Sequence, residues 1–124
     1  MDMTSSMEDY LEAVLMLQQK HGYVRCMDVA AFLGVTKPSV SRAVKELSKR
    51  GCLLKKTDGT LSLTEKGLEL AERIYEKHRF FTQRLMEAGI SPELAELEAC
   101  RMEHVISQES FEHLRDAYNA CKEE

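Results

Sequence analysis

Apolar residues recur every three to four positions along several stretches of the chain, and this spacing predicts amphipathic helices. The first predicted helix covers about residues 7–20. Ser5 and Glu8 are spaced for a capping box at its start, and Gly22 follows its end. A shorter helix is predicted at about residues 27–33. The chain therefore begins with two helices.

A basic helix and a hairpin are predicted next. Thr36 ends a tight turn and can cap a third helix that extends to about residue 50. Pro38 lies in the first turn of that helix, where a missing N–H costs little. Residues 53–56 and 60–63 predict two strands joined at the Asp58-Gly59 turn. Three helices followed by such a hairpin are typical of a winged helix-turn-helix.

The rest of the chain is predicted to be entirely helical. Thr64 can cap a long helix that extends to about residue 87. Its apolar stripe consists of Leu68, Ala71, Ile74, Tyr75, Phe81 and Leu85. Gly89 and Pro92 interrupt the pattern, and two further helices are predicted at about residues 92–106 and 109–120. We therefore predict a mainly α fold, with a winged helix-turn-helix DNA-binding domain at residues 1–64 and a helical domain at residues 65–124.

The formal net charge of −4 argues weakly against a nucleic-acid partner, but the charges are unevenly distributed. Residues 25–56 contain eight basic and two acidic side chains, whereas residues 87–124 contain three basic and ten acidic ones. This division suits a DNA-binding segment followed by one that does not bind DNA.

The sequence also indicates the compartment. No apolar run approaches the roughly 20 residues that a membrane span requires, and no secretory signal is expected at the N-terminus. We expect a cytoplasmic protein in which the four scattered cysteines are free thiols.

The predicted basic helix has the side chains that DNA reading requires, namely hydrogen-bonding groups for base edges and cations for phosphates. Arg42 can form a bidentate pair with a guanine, and the ring of Pro38 can touch a thymine methyl group. The alternative is a solvated basic face, but the coincidence with the helix-turn-helix pattern favours DNA binding. The predicted DNA-binding residues are Thr36, Lys37, Pro38, Ser39, Ser41, Arg42, Lys45 and Lys49 on the helix, and Lys56, beside Lys55, on the wing.

A second signal lies near the C-terminus. Cys100, Glu103 and His104 are spaced i, i+3 and i+4, so the three side chains share one helical face. A thiol, a carboxylate and an imidazole together form a set of transition-metal ligands. This motif therefore predicts a candidate metal site.

Three other residues extend the set if the helices converge. Asp9 and Glu12 have the same i, i+3 spacing in the first helix, and His78 lies among the apolar positions of the long helix. Each also has an ordinary explanation: Asp9 and Glu12 as helix-surface carboxylates, and His78 as a satisfied core histidine. Cys100 alone would be a small buried hydrophobic residue.

Two segments resemble the diphtheria toxin repressor / manganese transport regulator (DtxR/MntR) family, and the resemblance covers nearly the whole chain. Residues 6–12 (Ser-Met-Glu-Asp-Tyr-Leu-Glu) are similar to the opening helix of the manganese branch. Residues 98–105 (Glu-Ala-Cys-Arg-Met-Glu-His-Val) closely resemble the iron branch. The resemblance implies a repressor of metal-uptake genes that binds operator DNA as a homodimer through a helical metal-binding and dimerisation domain. The ligands it implies are Asp9, Glu12, His78, Cys100, Glu103 and His104.

The match is mixed between the two branches. Cys100 stands where the manganese branch has glutamate, and Asp9 stands where the iron branch has methionine. Thr82 and Glu96 stand where the ancillary site of the iron branch has glutamate and histidine. The hard oxygen ligands suit Mn²⁺ or Fe²⁺, whereas Cys100 favours Fe²⁺, Co²⁺ or Zn²⁺. We expect Fe²⁺ or Mn²⁺ as the cofactor, with Co²⁺ or Zn²⁺ able to bind in vitro.

The expected mechanism is a metal-driven selection of conformation. A metal ion would hold the two DNA-binding halves of a dimer about 34 Å apart, one turn of B-DNA. Without metal the affinity for operator would fall with the population of the competent state.

Three alternative functions make different predictions. A redox-sensing MarR-like regulator would use Cys100 or Cys26 as its reactive thiol, and would respond to peroxide and not to chelators. A small metallohydrolase would use Glu103 as a base, but the sequence offers no separate nucleophile, phosphate loop or substrate domain. A purely structural dimer would carry no bound metal. We therefore expect no enzyme activity, no small-molecule substrate and no membrane partner.

Overall fold

The computed structural model describes residues 3–123, with side chains through residue 122. In chain order the described elements are α1 (Ser5–His21), β1 (Val24–Arg25), α2 (Cys26–Leu33), α3 (Lys37–Lys49), β2 (Leu53–Lys55), β3 (Thr60–Leu63), α4 (Glu65–Glu87), α5 (Pro92–Val105) and α6 (Gln108–Glu123). They form two compact units that divide after Arg73, within α4. The mainly α fold class is confirmed, and a domain boundary at residue 64 stays a prediction.

The start of α1 differs from the sequence prediction. Thr4 is the N-cap residue, and its hydroxyl accepts a hydrogen bond from the N–H of Met7 at 3.2 Å. The predicted capping box of Ser5 and Glu8 is wrong because the helix begins one residue earlier than that motif requires, at Ser5 itself. The predicted end is confirmed: Gly22 adopts a left-handed conformation with φ 85° and stops the helix.

The helix-turn-helix forms as predicted. Gly34, with φ 68°, ends α2, and Thr36 caps α3 by accepting a hydrogen bond from the N–H of Ser39. One face of α3 is buried through Val40, Val44 and Leu47. Because these residues are spaced i, i+4 and i+7, the opposite face of α3 is left for solvent or a partner.

A third strand that the sequence pattern did not predict completes the sheet. β1 pairs antiparallel with β3, so the strand order is β1-β3-β2. The register places Val24 opposite Leu61 and Arg25 opposite Thr60. A strand of two residues is too short to show the alternation that identifies strands in a sequence, which explains why β1 was missed.

The junction of the wing with α4 depends on Gly67. A Cβ at this position would collide with the carbonyl oxygen of Cys52, so only glycine lets the helix approach the strand backbone. Thr64 holds the same junction as predicted: its hydroxyl accepts from the N–H of Gly67 at 3.0 Å and donates to the carbonyl of Gly51.

The predicted apolar stripe of α4 is buried or half-buried except at Leu68. Gly67, Ala71, Ile74 and Phe81 are buried, whereas Leu68 is 40% exposed. Successive residues of a helix point about 100° apart, so a face that follows Gly67 directs Leu68 away from it. The prediction that Leu68 faces inward was wrong because the close approach at Gly67 sets the phase of the helix.

The second unit is built around aromatic side chains. Phe81, Ala99 and Phe111 are buried together, with Phe80, Leu85, Met102 and Ile106 packed against them. Phe80 meets Phe81 and Phe111 edge-on, with ring centroids 5.3 and 5.5 Å apart. Helices α4, α5 and α6 of this unit therefore share one core.

A cation–aromatic cluster ties α6 to α4. The guanidinium of Arg84 lies 3.8 Å from the ring centroid of Tyr118 and donates two hydrogen bonds to Glu87. These bonds hold the pKa of Glu87 below its ordinary value.

Among the described residues, no helix is long and apolar enough to cross a membrane.

Candidate metal centre and DNA interface

Glu103 lies at the centre of the candidate metal ligands in the second unit. It is on α5, the residue is only 1% exposed, and its two carboxylate oxygens face two different imidazoles. Oε2 lies 3.4 Å from Nδ1 of His78 on α4, and Oε1 lies 3.7 Å from Nε2 of His104. A buried carboxyl group is thus placed between two imidazole nitrogens.

Cys100 and His104 complete the group on α5. One donor atom each of Cys100, Glu103 and His104 lies within 4.8 Å of the other two. All three are buried or half-buried. The i, i+3, i+4 spacing therefore has the consequence expected for one helical face, and the structure brings these predicted ligands together with His78.

Glu96 also faces the site, a contact that the predicted ligand set did not include. Its Oε1 lies 3.8 Å from Nε2 of His78, so the two nitrogens of this imidazole face two different carboxylates. Glu96 precedes Cys100 by four residues and Glu103 by seven, a spacing that puts all three on one face of α5. That spacing was the sequence signal available for Glu96.

Asp9 and Glu12, the other two predicted ligands, belong to the first unit. They are one turn apart on α1; Asp9 is half-buried and Glu12 is buried. A buried carboxylate on a helix is unusual unless it is paired or binds a cation. The two residues thus share a helix face that is suited to a cation.

The surroundings of Glu103 fit a metal ion. Both of its carboxylate oxygens are buried, and neither accepts a hydrogen bond from the residues that the structure describes. Buried charges in proteins are paired, hydrogen-bonded or coordinated to metals. Imidazole, thiol and carboxylate donors within a few ångströms form a site that a divalent transition metal would satisfy.

Most of the predicted DNA-binding side chains of α3 are exposed to solvent. Exposed positions are occupied by Lys37, Pro38, Ser41, Arg42, Lys45 and Lys49, together with the cap residue Thr36. Ser39 is half-buried, and its hydroxyl contacts Thr36 Oγ1 at 2.9 Å and accepts from Arg42 Nη2 at 3.4 Å. The helix thus presents several lysine side chains and the guanidinium of Arg42 to solvent.

The wing adds further positive charge. Lys55 ends β2, Lys56 follows it, and both are exposed. The backbone N–H of Lys56 donates to the carbonyl of Thr60 at 2.8 Å, so the hairpin is closed beside these lysines. A basic helix beside a basic hairpin suits contacts to DNA phosphates.

A winged helix-turn-helix joined to a helical unit with buried transition-metal donors defines a class, that of metal-responsive DNA-binding regulators. Comparison with protein families agrees. Residues 2–61 match the family model described as the iron dependent repressor N-terminal DNA binding domain. Residues 64–124 match its metal binding and dimerisation domain. The chain belongs to the iron-dependent repressor family, the DtxR/MntR family of metal-dependent transcriptional regulators.

Curated relatives show the same membership. The transcriptional regulator MntR of Lysinibacillus sphaericus is 32% identical over 120 residues, which cover 97% of this chain and 86% of that protein. MntR of Escherichia coli is 34% identical over 108 residues, which cover 87% and 70% of the two chains.

Solved structures agree on the fold. The manganese regulator SloR is 30% identical with a TM-score of 0.80 over 96% of this chain. The IdeR protein of T. acidophilum is 28% identical with a TM-score of 0.76 over 90% of this chain. The chain spans 55% and 53% of those two proteins, about half of their length.

Proposed function

We propose that this chain is a repressor that binds double-stranded operator DNA as a homodimer when loaded with Fe²⁺ or Mn²⁺, and that it controls metal-uptake genes. The observation that carries the proposal is Glu103, a buried carboxylate whose oxygens face His78 and His104 and accept no hydrogen bond from the described residues. A divalent cation would satisfy this arrangement. The proposed site of action is the cytoplasm, where operator DNA is found.

The proposed ligands are His78, Cys100, Glu103 and His104 in the second unit, with Asp9 and Glu12 from α1. Carboxylate oxygens and imidazole nitrogens accept Mn²⁺ and Fe²⁺, and the sulfur of Cys100 adds a softer donor that favours Fe²⁺. Two relatives carry the name of a manganese regulator, MntR, which supports Mn²⁺. The thiol supports Fe²⁺, and either metal is consistent with the donor set.

Metal loading would favour the DNA-binding conformation of the dimer. Asp9 and Glu12 lie on α1, which packs against the helix-turn-helix, so a cation bound to them would restrain the DNA-binding unit. Arg42 and the α3 lysines would then meet successive grooves from two protomers with a fixed spacing. Affinity for operator would depend on how much of the protein is metal-loaded.

An apolar row on α5 supports the homodimer. Leu94, Leu97 and Val105 are 45%, 52% and 84% exposed, and their spacing places them on one side of the helix. Apolar side chains exposed in a row are typical of a surface that a partner covers. The name of the matched family domain, metal binding and dimerisation, supports a second copy of the chain as that partner. Sedimentation of wild type and Leu97→Glu, with and without Mn²⁺, would test this: a monomeric wild type would contradict it.

The central test uses operator DNA selected from a random-sequence duplex library with Mn²⁺- or Fe²⁺-loaded protein. Mobility shifts are then measured with metal, with a chelator, and with metal restored. We expect a shift that chelation removes and metal restores. Elemental analysis of the same samples should find the metal in the bound protein. Equal binding with and without chelator would reject metal control, and loss of binding only after peroxide treatment would support the redox-sensing alternative.

A further inference from the structure

Arg25 connects strand β1, helix α2 and the tip of the wing. It is the second residue of β1 and the N-cap residue of α2. Its backbone N–H donates to Oδ2 of Asp28 at 2.9 Å, within the helix-turn-helix. Its guanidinium Nη1 donates to the backbone carbonyl of Asp58 at 2.9 Å, at the tip of the wing. One residue thus links the wing tip to the first helix of the helix-turn-helix.

The wing tip is arranged around this guanidinium. Oδ1 of Asp58 accepts hydrogen bonds from the hydroxyl of Thr60 at 2.7 Å and from its N–H at 3.0 Å. These bonds, with a smaller contribution from the charge of Arg25, hold the pKa of Asp58 below its ordinary 3.8. Gly59 has φ 89°, and a Cβ there would lie 3.2 Å from Nη1 of Arg25. The guanidinium therefore packs directly against the hairpin turn.

The sheet gives the tip little other support. β1 contributes only Val24 and Arg25, and its pairing with β3 ends at Thr60. The residues between the ends of β2 and β3 lie beyond this pairing, and Lys56 is among them. A two-stranded hairpin alone is marginally stable in water, so a side-chain anchor at the tip restricts a segment that is otherwise held only by its own turn.

We propose that Arg25 is a positioning residue for DNA binding, which does not contact DNA itself but fixes the wing tip so that Lys55 and Lys56 meet the phosphate backbone. The effect on DNA affinity rests on the proposed function of the wing. The restraint of the tip by Arg25 does not, because it can be measured without DNA.

The test compares Arg25→Ala with Lys56→Ala, a matched control that removes a wing cation and leaves the Arg25 contacts intact. Amide hydrogen exchange of Gly59 and Thr60 is followed by NMR in the whole protein. Both N–H groups are hydrogen-bonded in the wild type, to the Lys56 carbonyl and to Asp58 respectively, and so report on the tip. Affinity is measured by anisotropy at several salt concentrations with a random-sequence duplex of about three helical turns.

In Arg25→Ala we expect exchange at Gly59 and Thr60 to become about threefold faster or more, and affinity to fall by about threefold to tenfold, the range for one lost hydrogen bond. The slope of log affinity against log salt should stay at the wild-type value. In Lys56→Ala the slope should fall by about one while exchange is unchanged. In a Lys55→Ala/Lys56→Ala background, Arg25→Ala should have little further effect on affinity.

Three results would overturn the proposal. Unchanged exchange in Arg25→Ala would show that the residue does not restrain the tip. A salt slope reduced by about one with unchanged exchange would make Arg25 a direct phosphate contact. Faster amide exchange with unchanged DNA affinity in Arg25→Ala would show that Arg25 restrains the tip but has no part in DNA binding. In that last case, a Lys56→Ala variant that also binds normally would show that the proposed function of the wing had failed.

Discussion

The substitution Glu103→Gln tests whether Glu103 is a metal ligand or a carboxylate with a purely structural role. The exchange keeps the size and shape of the side chain but removes the negative charge. In the wild type both oxygens are buried and accept no hydrogen bond from the described residues, and a buried unsatisfied group costs about 1–3 kcal/mol. Without metal the variant should therefore be at least as stable as the wild type, because an amide is cheaper to bury than a carboxylate.

With metal bound, the wild type should become more stable than the Glu103→Gln variant. A ligand present at 100 times its Kd stabilises the folded state by about 2.7 kcal/mol. For a chain of 124 residues this corresponds to a rise in Tm of roughly 10 °C. Glu103→Gln loses the central ligand, so most of this rise should disappear. The expected signature is a variant with a normal or higher Tm in chelator and a lower Tm than the wild type in Mn²⁺.

The assay is thermal unfolding followed by circular dichroism, in chelator and over a titration of Mn²⁺ or Fe²⁺. Glu98→Gln is the matched control, because it makes the same change on the same helix at a half-buried position outside the proposed set. It should keep the metal-dependent rise. The reasoning fails if Glu103→Gln retains the full rise, or if it is destabilised by more than about 1 kcal/mol in chelator, as expected for a structural carboxylate.

Three further predictions follow from other sites. Cys100→Glu should raise the affinity for Mn²⁺ relative to Zn²⁺ or Co²⁺ by about tenfold or more, since a hard oxygen replaces the only sulfur in the proposed set. Competition titrations would measure this ratio of affinities, and an unchanged ratio would exclude Cys100 as a ligand. Arg42→Ala should weaken specific operator binding by about 1–3 kcal/mol in a mobility-shift titration, with a smaller effect on random duplex; equal losses on both would make Arg42 a phosphate contact. Asp58→Ala should lower stability to urea at pH 7 and match the wild type in strong acid. The depressed pKa of Asp58 gives a contribution that is complete above its unfolded value of 3.8 and is lost as pH falls through the lower folded value; a constant difference down to pH 2 would contradict it.

The sequence was sufficient for the elements with strong local signals. The cap at Thr36, the stop at Gly22 and the hairpin turn at Asp58 depend on neighbouring residues, so they could be predicted from a short window. The shared face of Cys100, Glu103 and His104 follows from helical geometry alone.

The features that could not be predicted from the sequence depend on contacts between residues far apart in the chain. β1 exists because Arg25 and Val24 pair with a strand more than thirty residues later, which no local pattern of two residues can reveal. The exposure of Leu68 follows from the steric limit that Cys52 places on Gly67, a tertiary contact. The contact of Arg25 with the wing tip could not be predicted for the same reason, because its partner carbonyl belongs to Asp58.

The burial of Glu103 has a consequence for how long the protein survives in a cell. If metal is what satisfies its carboxylate, starvation leaves the chain in its less stable form, which opens more often to proteases. Copy number would then decline together with the supply of metal, so scarcity would relieve repression twice: through vacated operators, and through fewer regulator molecules left to refill them.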